Sequence, residues 1–196
     1  TKFELLEEIL KNNNGFIKTS EAVDHDISRT YFLEFVKINK LIKVANGLYM
    51  SQDTWPDDLF VIRMRYPSAI FSHETATYLL DLTDREPFGI SLTLPTGTSS
   101  SRLNKENINV YKIKRDLFEL GLINVVTPSG NIVQTYNMER TFCDFVRNRN
   151  DIEIQEFQNY IKNYMQSKDK NIPKLMRYAK KLSVDKIIKQ YMEVLL

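Results

Sequence analysis

The chain has 196 residues, of which 42% are hydrophobic and 27% are charged, so it can bury a core and is not expected to be disordered. Its formal net charge of +2 is too small to indicate nucleic-acid binding by itself. The single cysteine excludes a disulfide within the chain, and the sequence has neither a signal-peptide pattern nor an apolar run of roughly 20 residues, so we expect a cytoplasmic protein.

The first 51 residues predict three helices followed by a β-hairpin. Apolar residues at helical spacing predict a first helix over Lys2–Asn13. Capping residues predict a short second helix over residues 19–24 and a third from about residue 28 to 40. Two apolar runs separated by Asn46-Gly47 predict the hairpin. This order is typical of a winged helix-turn-helix, which places its recognition helix in the major groove of DNA.

A polar stretch ends this segment, and we place a domain boundary after residue 51. Residues 52–196 then mix strands with helices, and their last third is helical. The predicted strands cover residues 89–94, 109–113, 122–126 and 132–134, and the predicted helices 57–65, 68–80, 136–147, 152–166, 172–180 and 184–195. The sequence therefore predicts an α+β protein, with a winged helix-turn-helix in residues 1–51 and a mixed α/β domain with a helical C-terminal end in residues 52–196.

The polar residues of the predicted module suggest a set of DNA contacts. Arg29, near the start of the third helix, could bind guanine through two hydrogen bonds, and Tyr31 is expected to be partly in the core. The amides that begin the second helix would favour a phosphate. The full set of expected DNA-binding residues is Lys18, Thr19, Ser20, Ser28, Arg29, Thr30, Tyr31, Lys37, Lys40, Lys43 and Asn46.

The charge of this segment leaves a second interpretation open. Residues 1–51 carry seven acidic and seven basic side chains, with the acids gathered early and the bases later. A basic face could still bind phosphate, because the local potential decides. Alternatively, these residues are simply solvated, and the module contacts protein instead of DNA.

Two features of the second part bear on catalysis. Ser72-His73-Glu74 resembles a catalytic set, but neighbouring residues of a helix point to different faces, so a helix start capped by Ser72 is the simpler interpretation. No spaced glycine set and no cluster of metal ligands is visible, and Cys143 is expected to be a small buried residue. We therefore expect no enzyme activity, no cofactor and no metal.

Basic residues of the second part form a candidate antitoxin surface or an auxiliary DNA surface. One group lies on or just after a predicted strand and the other on a predicted helix. A plain surface ion pair between Arg140 and Asp144 competes with this interpretation. The residues are Lys112, Lys114, Arg115, Arg140, Arg147 and Arg149.

Five segments together resemble a known family. Gly15–Ala22, Ile27–Phe32 and Leu41–Met50 are similar to the N-terminal domain of AbiE-type abortive-infection antitoxins. Phe71–Ala76 and Met138–Phe145 resemble segments of the second domain of the same family. The resemblance covers almost the whole chain.

The resemblance implies an antitoxin of a bacterial type IV toxin–antitoxin pair. In that family the wing ends in Gly-hydrophobic-Tyr, here Gly47-Leu48-Tyr49. The winged helix represses the shared operon by binding inverted repeats in double-stranded promoter DNA. The C-terminal domain counteracts a nucleotidyltransferase-like toxin without a stable complex, and such pairs serve phage defence through abortive infection. No membrane partner is implied.

Two other functions remain open at this point. The chain could be a transcriptional regulator of another circuit, with a second domain that senses a ligand or forms a dimer. It could also be a DNA-targeted nuclease, which the absence of a visible metal-ligand cluster disfavours.

Overall fold

The computed structural model describes residues 1–195, and its contacts divide the chain into two units. The first unit is Thr1–Tyr66 together with Thr127–Asn131. The second is Pro67–Val126 together with the chain from Ile132 to the C-terminal helix. The sequence predicted a boundary after residue 51, whereas this division also assigns residues 52–66 to the first unit.

The described residues of the first unit form four helices and a small antiparallel sheet. The strand order in the sheet is β1-β3-β2, so the strand between the first two helices pairs with the second strand of the hairpin. The elements are α1 (Lys2–Asn12), β1 (Phe16–Lys18), α2 (Thr19–Asp24), α3 (Arg29–Ile38), β2 (Ile42–Ala45), β3 (Leu48–Met50) and α4 (Asp58–Arg65).

Aromatic side chains hold the helices of the first unit together. Phe3 of α1 meets Tyr31 and Phe35 of α3 edge-on, with ring centroids 5.1 and 5.4 Å apart. Phe32 meets Tyr49 of β3 in the same manner at 5.6 Å. Because Phe32 and Phe35 are fully buried, these contacts fix which face of α3 is turned inward.

The second unit is built on a five-stranded mixed sheet with strand order β6-β5-β4-β8-β7. The β4 strand pairs antiparallel with β5 and parallel with β8. The elements are β4 (Ile70–Phe71), α5 (His73–Leu79), β5 (Ile90–Pro95), a 3-10 turn (Leu103–Lys105), β6 (Ile108–Ile113), α6 (Arg115–Phe118), β7 (Leu122–Val126), β8 (Ile132–Tyr136), α7 (Met138–Arg147), α8 (Ile154–Gln166), α9 (Ile172–Lys181) and α10 (Asp185–Leu195).

Helix α7 lies at the centre of the second unit. Every residue from Glu139 to Val146 is buried, and Phe142 and Phe145 pack against Tyr160 of α8. A helix that is buried on all sides must bury its polar residues too, and these need partners in the interior.

The structure confirms the α+β class, with ten α-helices and two sheets among residues 1–195. One predicted helix is wrong in part: residues 68–72 do not continue α5, because Ile70 and Phe71 form β4 and pair with Thr93 and Thr135. The short strand β1 was not predicted. Within the described chain, no helix is both long enough and apolar enough to cross a membrane.

Candidate nucleic-acid interface

Helix α3 presents an exposed face opposite its buried face. Arg29, Leu33 and Lys37 follow one another at four-residue spacing, so they form one stripe along the helix, and all three are exposed. Thr30 and Glu34 form the next stripe and are exposed too. The first turn of α3 therefore offers Arg29 and Thr30 to a partner.

Two of the expected contact residues serve the helix itself. The Ser28 hydroxyl accepts a hydrogen bond from the backbone N–H of Tyr31 at 3.3 Å, which confirms Ser28 as the N-cap. Tyr31 is half-buried against Phe3, as expected. These two side chains are therefore less available for DNA than Arg29 and Thr30.

The segment that follows α3 carries two further basic residues of the expected DNA-binding set, Lys40 and Lys43. The helix ends at Ile38 rather than near Lys40, and Lys40 turns the chain with a φ of 50°. Lys40, Lys43 and Asn46 are all exposed. Gly47 takes a φ of 68° in the turn, as the Asn-Gly pair predicts.

The charges of residues 1–51 are strongly segregated along the chain. Residues 1–26 carry six acidic and three basic side chains, and residues 27–51 carry one acidic and four basic side chains. A segment with a net charge of zero thus consists of an acidic part containing α1 and α2 and a basic part containing α3 and the hairpin. Glu34 is the one acidic residue among residues 27–51.

At the start of α2, two of the three backbone amides that were expected to favour a phosphate have partners within the chain, which corrects that part of the prediction. The backbone N–H of Lys18 donates to the Glu21 carboxylate at 2.7 Å. The backbone N–H of Thr19 donates to the Gly47 carbonyl at 2.8 Å. These amides are already satisfied, so only the exposed Ser20 and the side chains of the other two residues could meet a ligand.

The sequence interpretation missed Leu33 and Glu34 as members of the exposed face. Leu33 is 42% exposed although it is a large apolar residue. Their spacing of four residues from Arg29 and Thr30 was the signal that could have identified them.

The basic residues of the second unit that the sequence assigned to a contact surface differ in their exposure. Lys114, Arg115, Arg147 and Arg149 are exposed, as a contact surface requires. Lys112 is half-buried, and its amine donates to the Thr98 carbonyl.

The assignment of Arg140 to a surface is wrong, because this side chain has no exposed area. Its Nε donates to both carboxylate oxygens of the equally buried Asp144, at 3.1 and 3.0 Å. Its Nη1 donates to the carbonyls of Leu117 and Leu120 at 2.8 and 2.6 Å. The guanidinium also lies over the Tyr136 ring, 4.1 Å from its centroid. Arg140 therefore has a structural role in the interior of the second unit.

A second polar cluster surrounds His73, the first residue of α5. His73 has a φ of 49°, and its Nδ1 lies 2.9 Å from the Ser72 hydroxyl. The prediction that the Ser72 side chain caps α5 is therefore wrong, since that hydroxyl bonds to His73 and Thr93. The His73 Nε2 lies 3.2 Å from the Asn148 Oδ1.

The contacts of His73 fit one arrangement of donors and acceptors. With the Asn148 Oδ1 as the acceptor, a neutral His73 carries its proton on Nε2, and its Nδ1 accepts from the Ser72 hydroxyl. Burial lowers the pKa of His73, which favours this neutral form, while Asp144 and Glu74 oppose the shift. Ser72 and His73 are 0% and 1% exposed, so the pair has the spacing of a nucleophile and its base but no access to a substrate.

The described part of each unit lacks a recognisable metal centre. Among the residues that the structure describes, no group of three or more His, Cys, Asp or Glu side chains is placed to hold a metal ion. Cys143 is buried, as predicted, and burial raises the pKa of its thiol.

Comparisons with known proteins bear on the fold alone. No protein-family model matches the chain, and no curated protein sequence matches it. The chain is similar to a crystal structure of the RV2827C protein from Mycobacterium tuberculosis, with a TM-score of 0.59 over 90% of this chain and 70% of that one. The two sequences are 11% identical, so the likeness supports the overall architecture and carries no statement about activity.

Proposed function

We propose that the first unit is a winged helix-turn-helix that binds double-stranded DNA. The order α1-β1-α2-α3-β2-β3 and the antiparallel sheet support this interpretation, with α3 as the recognition helix and the β2–β3 hairpin as the wing. The observation that carries it is the segregation of charge, because four of the five charged residues in the part containing α3 and the wing are basic.

In the proposed complex, the exposed face of α3 enters the major groove. Arg29 and Thr30 then reach base edges, and Arg29 can bind guanine through two parallel hydrogen bonds. Lys37, Lys40 and Lys43 lie further along the chain and contact phosphates, which adds affinity without sequence preference.

Three single variants of the full chain test this proposal. Binding to fragments of the promoter upstream of the chain's own gene is measured by fluorescence anisotropy at several salt concentrations. Arg29→Ala is expected to weaken binding to the preferred sequence by about 1–3 kcal/mol and to relax its specificity. Lys43→Ala is expected to weaken binding to all sequences alike and to reduce the salt slope by about 1.

The matched control is Lys11→Ala, because Lys11 is an exposed lysine at the end of α1, in the acidic part. We expect it to leave binding within about twofold of the parent chain. Loss of affinity in Lys11→Ala as large as that in Lys43→Ala would contradict the assignment of α3 and the wing to the interface. Unchanged binding in both Arg29→Ala and Lys43→Ala would do the same.

We further propose that the chain is the antitoxin of a type IV toxin–antitoxin pair and represses its own operon. The support is the resemblance of five segments to AbiE-type antitoxins, together with the proposed DNA-binding unit. In this role the first unit regulates transcription, and the second unit counteracts a nucleotidyltransferase-like toxin.

The test co-expresses the chain with the nucleotidyltransferase-like protein of the neighbouring gene and measures growth. The parent chain is expected to restore growth, and Arg29→Ala is expected to restore growth equally while losing repression of a promoter fusion. A chain that represses but never protects would instead be a regulator of another circuit. Loss of protection in a folded Arg29→Ala variant would refute the proposed division of labour.

A further inference from the structure

Strand β6 forms one edge of the five-stranded sheet. It pairs in parallel with β5 over its whole length, from Ile90 opposite Ile108 to Pro95 opposite Ile113. No other strand of the described chain pairs with its second side. An unpaired edge of this kind is a template for the backbone of another strand.

The backbone alternation identifies which groups face outward. The Ile113 carbonyl accepts a hydrogen bond from the Thr96 N–H, on the β5 side, at 2.7 Å. Because the backbone groups of successive residues point to opposite sides of a strand, those of Ile108, Val110 and Lys112 are directed away from β5.

A groove of about 380 Å³ runs along this edge. Four consecutive residues of β6, 109–112, line one side, and Glu74, Asn148 and Asp151 line the other. Tyr111 on one side stacks on His73 with ring centroids 3.5 Å apart, and His73 is hydrogen-bonded to Asn148 on the other side. Contacts within the second unit therefore join the two sides of the groove.

An adjoining cavity of about 250 Å³ shares Glu74 and Asn109 with the groove. It adds an aromatic side chain, since Phe88 is 94% exposed and lines it. Together the two cavities are bordered by five carboxylates, from Glu74, Glu86, Asp151, Glu153 and Glu156.

Two cations border the same surface, and both have a partner. Arg85 pairs with Glu156 at 3.3 Å, and the Lys112 amine donates to the Thr98 carbonyl. The surface along β6 is therefore acidic, with an exposed aromatic ring at one end.

We propose that the edge of β6 binds an extended, basic segment of a partner protein, which joins the sheet as a further strand. The outward N–H and C=O groups of Ile108, Val110 and Lys112 pair with the backbone of the segment. Lysine or arginine side chains at alternate positions meet the carboxylates, and the face of Phe88 accepts a guanidinium.

The charge of the surface argues against other occupants. A nucleic acid would bring phosphates against five carboxylates. A second copy of the chain, paired edge to edge, would bring two acidic grooves together, and like charges across an interface are repulsive. A basic segment is the occupant that neutralises this surface.

The test uses the full chain and a labelled, end-capped peptide of alternating Arg and Val, six residues long. Binding is measured by fluorescence anisotropy, and backbone amide NMR shifts locate it. We expect saturable binding with shifts concentrated on β6, and at least tenfold weaker binding of the same peptide methylated on alternate backbone nitrogens. A Glu-Val peptide of equal length should not bind.

Variants of the chain separate strand pairing from simple charge attraction. Val110→Pro removes one outward N–H at an edge position that tolerates proline, and should weaken binding at least tenfold. Its matched control, Val110→Ala, keeps the N–H and should stay within twofold. A double variant, Asp151→Lys combined with Glu153→Lys, changes two exposed positions and should weaken binding at least tenfold.

Several results would overturn the proposal. These are an absence of saturable binding, equal affinity for the N-methylated peptide, displacement of the peptide by a DNA oligonucleotide, and self-association of the chain that Val110→Pro abolishes. If Val110→Pro loses its native circular dichroism spectrum, the N-methylated peptide and the double lysine variant decide the question on the folded protein.

Discussion

Arg140→Met should be among the most damaging substitutions in the second unit. The methionine keeps an apolar stem over the Tyr136 ring but removes the charge. Asp144, whose side chain is 3% exposed, then loses the cation that compensates it. Breaking a buried ion pair in this way costs about 3–5 kcal/mol. The carbonyls of Leu117 and Leu120 lose their donor as well, so we expect a loss at the upper end of that range.

Urea unfolding followed by circular dichroism measures this loss, and a double-mutant cycle isolates the pair. Asp144→Asn removes the partner charge, and the double variant should be less destabilised than the sum of the two single variants by at least about 2 kcal/mol. A loss below about 1 kcal/mol in Arg140→Met, or strictly additive effects, would refute the view that these charges stabilise each other in the interior.

Three further predictions concern strained and buried positions. Burial lowers the pKa of His73, so the unfolded chain takes up this proton at a higher pH than the folded chain does. The free energy of unfolding should therefore fall as the pH drops from 7.5 to 5.5, by at most about 1.4 kcal/mol per pH unit. His73→Gln should remove part of this dependence in equilibrium unfolding, and the exposed His25→Gln should not. Gly121→Ala should lower thermal stability more than Gly130→Ala. Both glycines have a positive φ, but only at Gly121 would the added Cβ lie in steric conflict, 2.6 Å from another side chain. Asp57→Ala should cost at least about 2 kcal/mol in urea unfolding, because this buried carboxylate accepts three hydrogen bonds.

The parts of the fold that the sequence predicted are those with local causes. The Ser28 hydroxyl caps α3 within one turn, and Asn46-Gly47 supplies the backbone freedom of the hairpin. The strands β1 and β4 were missed because they have three and two residues, too few for a period to emerge. Their pairing partners lie far away in the chain, so only tertiary contacts stabilise them.

The errors at the polar sites have a common physical cause. Arg140 and Asp144 are four residues apart, a spacing that looks the same in a surface pair and in a buried one. What distinguishes them is the burial of the whole helix, which depends on elements distant in sequence. Likewise, the His73 that meets Ser72 has a positive φ although it is not a glycine, a conformation that no local pattern indicates.

The separation of charge between residues 1–26 and residues 27–51 has a consequence for any complex with DNA. A module with a net charge near zero gains little from non-specific attraction, so its total charge cannot bring it to DNA in an arbitrary orientation. Residues 1–26 carry three excess acids and residues 27–51 carry three excess bases, so the two parts of the module have opposite net charges. Turning α1 and α2 toward the phosphates is repulsive, whereas turning α3 and the hairpin toward them is attractive. Under the proposed function, the neutral total charge therefore favours one docking orientation and reduces retention on unrelated DNA. Affinity then depends more on specific contacts, such as those of Arg29.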